Sequence, residues 1–188
     1  MEGKCIILCA PSGAGKTSVT KYLLAQDLDL EFSISACNRE KRVNEIDGVD
    51  YYFLSTENFK NRIKNDEFVE WEEVYKNCFY GTLKTEVNRI WNKGKNVIFD
   101  VDVKGGLSLT RYFGEKALVI FLQPPSIEVL ENRLKNRGTE DEEKIKMRIQ
   151  KAAEELEYAK WFDTIVINDN LEETQQKVYS IVKSFLNK

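Results

Sequence analysis

The amino-acid sequence predicts an α/β fold in which a parallel sheet is flanked by helices. Short runs that are apolar on both faces recur along the chain, as the strands of a helix-covered parallel sheet require. These runs are Cys5–Cys9, 96–100, 117–122 and 164–167. Segments with the 3.6-residue spacing of apolar side chains separate them, so strands and helices alternate. Shorter strand-like pieces interrupt this order between 35 and 84, and we interpret them as a small mixed sheet inserted into the core.

The first strand leads directly into a phosphate-binding loop. Residues 10–17 fit the pattern G-x-x-x-x-G-K-[ST], except that Ala10 replaces the first glycine. Small residues let backbone N–H groups surround an anion, and the next helix offers its positive N-terminal end. Lys16 would meet the outer phosphates, and Thr17 carries a hydroxyl placed for a magnesium ion. An ordinary glycine-rich turn is the alternative, but strand, loop, Lys-Thr pair and helix occur in the order that favours a P-loop core.

The following segment begins with a predicted helix over 18–25. Alternation of Phe32, Ile34 and Ala36 with polar residues then predicts a strand. Within the insert we predict strands at 51–54 and Phe68–Tyr75 and a helix at 57–64. We interpret three aromatic side chains as the insert's own core: Phe53, Phe59 and Phe68.

The remaining predicted helices cover 83–93, 103–112, 126–136, 139–159 and 171–186. The helix at 139–159 opens with a capping box, formed by Thr139 and Glu142. Its apolar stripe is narrow, being made of Ile145, Ile149, Ala152 and Leu156. A helix of this type packs lightly and is suited to move as a lid, but the pattern fits a static surface helix equally well.

Two carboxylates follow the strand at 96–100. Asp100 is expected at the carboxyl end of a strand parallel to the loop strand, where open α/β sheets bind ligands, so it is a candidate magnesium ligand. Asp102 lies two residues further on, just before a predicted helix. For Asp102 the sequence leaves two alternatives open, a ligand contact and a helix N-cap.

Arginines form two groups that suit anions. Arg133 and Arg137 are four residues apart on a predicted helix, where like charges repel unless an anion lies between them, and Arg148 could join them. Arg39 and Arg42, with Lys41 between them, are spaced for bidentate capture of a phosphate. Solvated surface charge is the alternative for each group.

Composition excludes several classes of function. With 42% hydrophobic and 31% charged residues, the chain is typical of a globular protein. A net charge of −3 argues against broad binding to nucleic acids or anionic membranes. The absence of histidine excludes Ser-His-Asp and Cys-His mechanisms, and four cysteines without a C-x-x-C pair make a zinc site unexpected. Neither a signal peptide nor a membrane-spanning run is recognisable, so we expect a cytoplasmic protein with reduced thiols.

Taken together, these motifs resemble the guanylate kinase family. The residues that carry the resemblance run in family order across nearly the whole chain: Pro11-Ser12-Gly13-x-Gly15-Lys16-Thr17, Ser35 with Arg39 and Arg42, Gly48-x-Asp50-Tyr51-x-Phe53, Phe68-x-Glu70-Trp71, Tyr80-Gly81-Thr82, Asp100-x-Asp102, Arg137-Gly138-Thr139 and Ile167-Asn168-Asp169. Two departures are Ala10 and Lys104, the latter standing where the family usually has glutamine.

The resemblance implies a kinase that transfers phosphate from ATP, with Mg²⁺, to GMP. It implies a P-loop core (1–34, 84–125 and 160–188), a GMP-binding insert (35–83) and a lid region (126–159). ATP would be bound by Pro11, Ser12, Gly13, Ala14, Gly15, Lys16 and Thr17, with Asn168 near adenine and Thr17 and Asp100 at the metal. Lys16, Arg133, Arg137 and Arg148 would bear the charge of the transferring group.

The same resemblance implies two sets of GMP contacts. Arg39, Arg42, Tyr51 and Tyr80 would hold the phosphate of GMP, while Ser35, Glu70, Thr82 and Asp102 would bind guanine. Without the resemblance, Tyr51 and Tyr80 are more typical of half-buried packing. The acceptor is itself a phosphate with a second pKa of about 6, so no general base is needed and the lack of histidine is no obstacle.

Two other functions compete with this interpretation. A P-loop GTPase is one, because residues 102–105 match D-x-x-G, but the base-reading N-K-x-D motif is missing after it. A non-catalytic guanylate-kinase-like binding module is the other. The complete Gly-Lys-Thr sequence at 15–17 and the arginines of the lid region favour the enzyme.

Overall fold

The computed structural model describes residues 3–136 and 142–188. Within them the strands are β1 (Cys5–Cys9), β2 (Leu30–Phe32), β3 (Ala36–Cys37), β4 (Tyr52–Phe53), β5 (Phe68–Tyr75), β6 (Cys78–Leu83), β7 (Asn96–Val101), β8 (Ala117–Gln123) and β9 (Ile165–Ile167). The helices are α1 (Lys16–Leu24), α2 (Thr56–Lys64), α3 (Lys84–Trp91), α4 (Val103–Phe113), α5 (Ile127–Asn136), α6 (Glu142–Leu156) and α7 (Leu171–Leu186). Short 3₁₀ helices follow α4 at Gly114–Lys116 and α6 at Glu157–Trp161.

The main sheet has five parallel strands in the order β2-β7-β1-β8-β9, which confirms the predicted fold class. Central β1 pairs with β7 so that Leu8 lies opposite Asp100, and with β8 so that Cys9 lies opposite Phe121. Parallel strands end at the same edge of the sheet. The loop after β1, the carboxylates at the end of β7 and the segment after β9 therefore meet along one edge.

Helices cover both faces of this sheet. All five residues of β1 are fully buried. On one face Ile6 and Leu8 pack in a cluster with α1 and α7, and on the other Cys5 and Ile7 pack with α3 and α4. This two-sided burial is why the strand is apolar at every position. At the sheet edge the prediction of a buried strand was wrong, because β9 buries only Val166 and exposes its other two residues.

The second sheet has four strands in the order β4-β3-β6-β5, of which β3 and β4 are parallel and the other pairs antiparallel. Phe59 stacks on Phe68 at 4.5 Å between ring centroids, and both belong to the buried cluster of this sheet. Phe53 does not belong to it, contrary to our prediction; it lies half-buried against Tyr51. Strand β6 had not been predicted as a separate strand.

The predicted strand containing Phe32 and Ala36 is split between the two sheets. β2 ends at Phe32 in the main sheet, and β3 begins at Ala36 in the second. Between them the Ile34 N–H donates to buried Glu86, which also accepts hydrogen bonds from Tyr52 and Arg89. Burial raises the pKa of Glu86, but these donors outweigh burial and lower it on balance. Glu86 is thus an ionised junction between the two sheets.

Helix α6 packs on α5 through the predicted stripe. Ile145 and Ala152 are buried against Leu130 and Leu134 of α5. Leu156, the last predicted member of the stripe, instead packs with a core cluster that includes Cys9. The capping box at Thr139 lies outside the described residues. Among the residues that the structure describes, no helix combines the length and the apolar character that crossing a membrane requires.

Candidate functional site

The loop between β1 and α1 has the backbone that its glycines predict. Gly13 and Gly15 have φ values of +93° and +96°, in the left-handed region that glycine adopts without strain. A Cβ on Gly15 would lie 2.3 Å from the Asn168 Nδ2 atom, so a side chain does not fit there. Ala10 is 2% exposed, and its φ angle is not positive. Alanine at that position therefore imposes no backbone strain.

Lys16 lies at the carboxyl end of β7, as the order of strands predicts. Its Nζ atom is 3.1 Å from Asp100 Oδ1 and donates to the Val101 carbonyl at 2.9 Å. Thr17 Oγ1 lies 3.5 Å from the other carboxylate oxygen of Asp100. A cation, a hydroxyl and a carboxylate therefore converge beside the loop.

These oxygens fit a magnesium ion bound together with nucleotide phosphates. Mg²⁺ prefers hard oxygen ligands and usually takes one or two carboxylates along with phosphates and water. Thr17 and Asp100 supply one hydroxyl and one carboxylate at the right place. In residues 3–136 and 142–188, no group of three or more His, Cys, Asp or Glu side chains could hold a metal ion by itself.

Asn168 lies beneath the loop. It is 3% exposed, and its Nδ2 atom donates to the Ala14 carbonyl at 2.7 Å, while its backbone N–H donates to Gln123 at the end of β8. The carboxamide therefore braces the loop from the side of β8 and β9. Adenine contact by this residue stays a prediction, whereas the bracing contact is one that sequence reasoning missed.

Two of the three lid-region arginines lie near the loop. Arg133 of α5 donates from Nη2 to the backbone carbonyls of Asn168 and Asp169 at 2.9 and 3.2 Å. Arg148 of α6 lies with Nη1 3.4 Å from Ser12 Oγ in the loop. Arg137 lies outside the described residues, so its predicted place beside Arg133 stays a prediction.

Two adjoining cavities lie at this edge of the main sheet. The loop cavity, of about 370 Å³, is lined by residues of the phosphate loop. The acidic cavity, of about 410 Å³, is lined by Glu70, Glu72, Asp100 and Asp102 together with Tyr80, Gly105 and Lys151. Six residues line both cavities and so mark where they meet: Ser12, Ser35, Tyr51, Asp100, Val101 and Asp102.

A larger groove of about 710 Å³ lies elsewhere, with Trp71, Arg111 and Tyr112 in its lining. Of the residues predicted to form the site, Glu70 alone lines it. We therefore place the candidate site in the loop cavity and the acidic cavity.

Glu70 and Thr82 face each other across the antiparallel pair β5 and β6. Their register is direct, and Thr82 Oγ1 donates to Glu70 Oε1 at 2.8 Å. Burial, aided by the charges of Asp102 and Glu72, raises the pKa of Glu70 to about 7, and the hydrogen bond from Thr82 only partly opposes this. Glu70 is thus a buried carboxyl group whose pKa lies near neutral pH, and in its ionised form it suits a ligand that donates hydrogen bonds.

For Asp102 the sequence left a ligand contact and a helix N-cap open, and the structure shows the N-cap. It is the N-cap of α4 and accepts a hydrogen bond from the Gly105 N–H at 2.8 Å. It also lines both cavities. Because the cap engages Oδ1, the second carboxylate oxygen is the one left for a ligand, and the two alternatives are compatible.

Arg39 contacts Tyr80, a residue that lines the acidic cavity, and is held by several partners. Arg39 makes a two-pronged contact of 2.6 Å with Glu45 and donates from Nε to the Tyr80 hydroxyl, while its guanidinium lies 4.9 Å from the ring centre of Tyr51. The Arg39 side chain lowers the pKa of Glu45 to about 2. Arg42 is exposed, and its backbone N–H donates to the same glutamate. Glu45 therefore orients the predicted phosphate-binding pair.

Sequence reasoning missed three charged residues in this region: Glu45, Glu72 and Lys151. Glu45 lies three residues after Arg42, and Glu72 is two residues after Glu70 on one strand, so their spacing was a usable signal. Glu72 forms a 3.3 Å ion pair with Lys104, the residue that departs from the family pattern. Lys151 is three residues after Arg148 on α6 and lines the acidic cavity.

Comparisons of sequence and of structure with known proteins all match guanylate kinases. The family model for guanylate kinase matches residues 2–185. A guanylate kinase of Bacteroides thetaiotaomicron is 52% identical over the whole chain, which spans 92% of that protein, and one of Porphyromonas gingivalis is 50% identical over 98% of the chain and 99% of its own length. A crystal structure of guanylate kinase from Anaplasma phagocytophilum superposes with a TM-score of 0.78 and is 28% identical in sequence. The match covers 99% of this chain and 87% of the Anaplasma chain.

Proposed function

The chain belongs to the guanylate kinase family, and we propose that it transfers the terminal phosphoryl group of ATP to GMP, giving ADP and GDP. Family membership makes it an enzyme of nucleotide phosphoryl transfer. The observation that carries the specific reaction is that the loop cavity and the acidic cavity adjoin through shared residues. Two nucleotides bound there would bring their phosphates together.

The loop cavity suits the phosphates of ATP. Backbone N–H groups of residues 12–17 would surround them, and the positive end of α1 points the same way. Lys16 would exchange part of its contact with Asp100 for the outer phosphates, and Thr17 and Asp100 would hold Mg²⁺, which lowers the charge of the transferring group.

The acidic cavity suits a guanine nucleotide. Guanine presents N1–H and a 2-amino group, both donors, and Glu70 is a carboxylate acceptor backed by Thr82. Adenine has a bare acceptor at N1, which would face negative charge. We propose that Ser35 and Asp102 support this reading of the base, and that Arg39, Arg42, Tyr51 and Tyr80 hold the phosphate.

Catalysis would consist of positioning and charge neutralisation. The GMP phosphate is already a nucleophile near neutral pH, since its second pKa is about 6. Lys16, Arg133, Arg137 and Arg148 would offset the charge that spreads over the transferring group.

We also propose that α5 and α6 act as a lid over the core, which excludes water and so limits hydrolysis of ATP. The division into core (1–34, 84–125 and 160–188), GMP-binding insert (35–83) and lid region (126–159) belongs to this proposal. All four cysteines are free thiols and three of them are buried, which suits the reducing cytoplasm where we propose the enzyme works.

The test is a coupled assay of ADP release with ATP and GMP together, with ATP alone, and a parallel assay of phosphate release from GTP. We expect ADP release that requires GMP. No release with both nucleotides would contradict the proposal and favour a binding module. Phosphate release from GTP alone would favour a GTPase.

A further inference from the structure

Glu155 of α6 is a buried carboxylate with no role in the mechanism above. The residue is 9% exposed, although a buried charge is costly unless other groups compensate it. Lys151 Nζ lies 3.8 Å from its Oε1 atom. Burial, aided by the charge of Asp102, raises the pKa of Glu155 on balance, and Lys151, Lys16 and the backbone N–H of Ser12 only partly oppose this. Lys16 and Ser12 both belong to the phosphate loop, so the carboxyl group lies within reach of that loop.

Ser12 is approached by α6 at two points. Arg148 Nη1 lies 3.4 Å from its hydroxyl, and the carboxylate of Glu155 faces its backbone N–H. Arg148, Lys151 and Glu155 are spaced at i, i+3 and i+7, so they share one side of the helix. This side faces the edge of the sheet where Ser12 and Lys151 line the acidic cavity.

Charge links these side chains. Arg148 and Lys151 are two cations on one side of α6, near the place where phosphates would gather. The Glu155 carboxylate lies 3.8 Å from Lys151 on the same helix and so restricts the position of that cation. Because it is attached to α6 and meets the loop, it also sets the position of the helix against the loop.

We propose that Glu155 is a positioning residue that seats α6 on the phosphate loop through Ser12 and thereby places Arg148 and Lys151 over the two cavities. It acts through these side chains and does not touch the reacting atoms. The inference rests on the proposed phosphoryl transfer from ATP to GMP. Loss of Glu155 should therefore slow transfer more than it weakens the binding of either nucleotide.

The experiment compares Glu155→Gln with Glu154→Gln, its exposed neighbour on the same helix, which undergoes the same change of charge. We expect Glu155→Gln to lower kcat by roughly ten- to a hundredfold, because small misplacements of catalytic groups have effects of this size, with both KM values within about threefold. Glu154→Gln should stay within about twofold of the wild type in kcat. A double-mutant cycle with Arg148→Ala should show that Glu155→Gln costs little once the arginine is gone.

Equal kcat values for the two glutamine variants would overturn the inference, and so would full additivity with Arg148→Ala. An inactive wild type would instead contradict the proposed function, so the two failures are distinguishable. Circular dichroism during heating checks folding. If Glu155→Gln is unfolded at the assay temperature, Glu155→Asp replaces it; this variant keeps the charge on a side chain too short to reach Ser12, and the same loss of kcat is expected.

Discussion

The loop cavity and the acidic cavity adjoin, yet they are built in different ways. Half of the residues that line the loop cavity come from one stretch, 11–18, in which Gly13 and Gly15 adopt the left-handed backbone conformation. The acidic cavity takes Glu70 from the second sheet, Asp102 from the start of α4 and Lys151 from α6. Binding of phosphate is thus a local property of the chain, whereas recognition of the base depends on how separate elements pack.

The two cavities also differ in electrostatics. In the loop cavity Lys16 is already paired with Asp100, and the backbone N–H groups of the loop and the N-terminal end of α1 favour an anion. In the acidic cavity Glu70, Glu72 and Asp102 repel one another, and the pKa of Glu70 is raised to about 7. A ligand with hydrogen-bond donors relieves that repulsion. If this contrast holds, changes at the loop should affect transfer to any acceptor, and changes at Glu70 should affect the choice of acceptor.

The largest effect is expected from Lys16→Ala. Removal of a cation that faces the developing charge should lower kcat by roughly 10²–10³-fold, as for other charge-stabilising donors. The fold should persist, because Lys16 and Asp100 both line the loop cavity, where water can solvate the carboxylate that loses its partner. Steady-state kinetics and thermal unfolding provide the check, with Lys21→Ala on the exposed face of α1 as the matched control. Turnover within about tenfold of wild type, a barrier change of only ~1.4 kcal/mol, would refute the assignment.

A smaller effect is expected from Asn168→Ala. The change removes the hydrogen bond to the Ala14 carbonyl and leaves that buried acceptor unpaired, at a cost of about 1–3 kcal/mol. Because the bond braces the loop, KM for ATP should rise by about tenfold while KM for GMP changes little. Equal increases in both KM values would show that the bracing does not act on the loop specifically.

The third prediction concerns pH. Glu70 must be ionised to accept hydrogen bonds from guanine, and its pKa is raised to about 7, so kcat/KM for GMP should fall as the pH drops through about 7. Glu70→Gln should lack this fall and keep only the one due to the GMP phosphate near pH 6. The measurement is a profile from pH 5.5 to 9 for both proteins. Identical profiles would mean that Glu70 does not titrate in contact with the base.

The fourth prediction concerns stability. A carboxyl group whose pKa is raised on folding stabilises the protein below its unfolded value of 4.5, and this contribution is lost as the pH rises through about 7. Glu70→Gln should therefore be more stable than wild type by about 3 kcal/mol at pH 8, with little gain at pH 4.5. Urea unfolding at the two pH values measures this difference. A gain that is equal at both would show that the ionised carboxylate is not the cause.

The same contrast explains how far the sequence could predict the structure. The loop, Lys16 and the strand that ends in Asp100 are consecutive patterns, and their prediction needs only local rules. Strand β6 was missed, and the strand from Phe32 to Ala36 was predicted whole, because both depend on the second sheet and on the Glu86 junction. The contact of Glu45 with Arg39 likewise depends on how residues 39–45 fold back.

Burial on only one side of a strand was equally hard to predict from the sequence. The apolar residues Ile165 and Ile167 suggest a strand that helices cover on both faces. β9 lies at the edge of the sheet, however, and both of these side chains are exposed there. Phe53 shows the same limit in the insert, since an aromatic residue on a short strand packs as well against Tyr51 and Arg39 as in a core. In both cases the position of the strand within its sheet decides which side chains are covered.

The most direct test of the account is the choice between GMP and AMP in wild type and in Glu70→Gln. The variant retains an acceptor for the 2-amino group but loses the N1–H contact or must flip its amide, at a cost of roughly 1.5–3 kcal/mol, as for hydrogen bonds to charged groups. We predict that the ratio of kcat/KM for GMP to that for AMP falls by about ten- to a hundredfold, with KM for ATP unchanged. A ratio unaltered by Glu70→Gln would contradict the account, because guanine would then be recognised by groups other than Glu70.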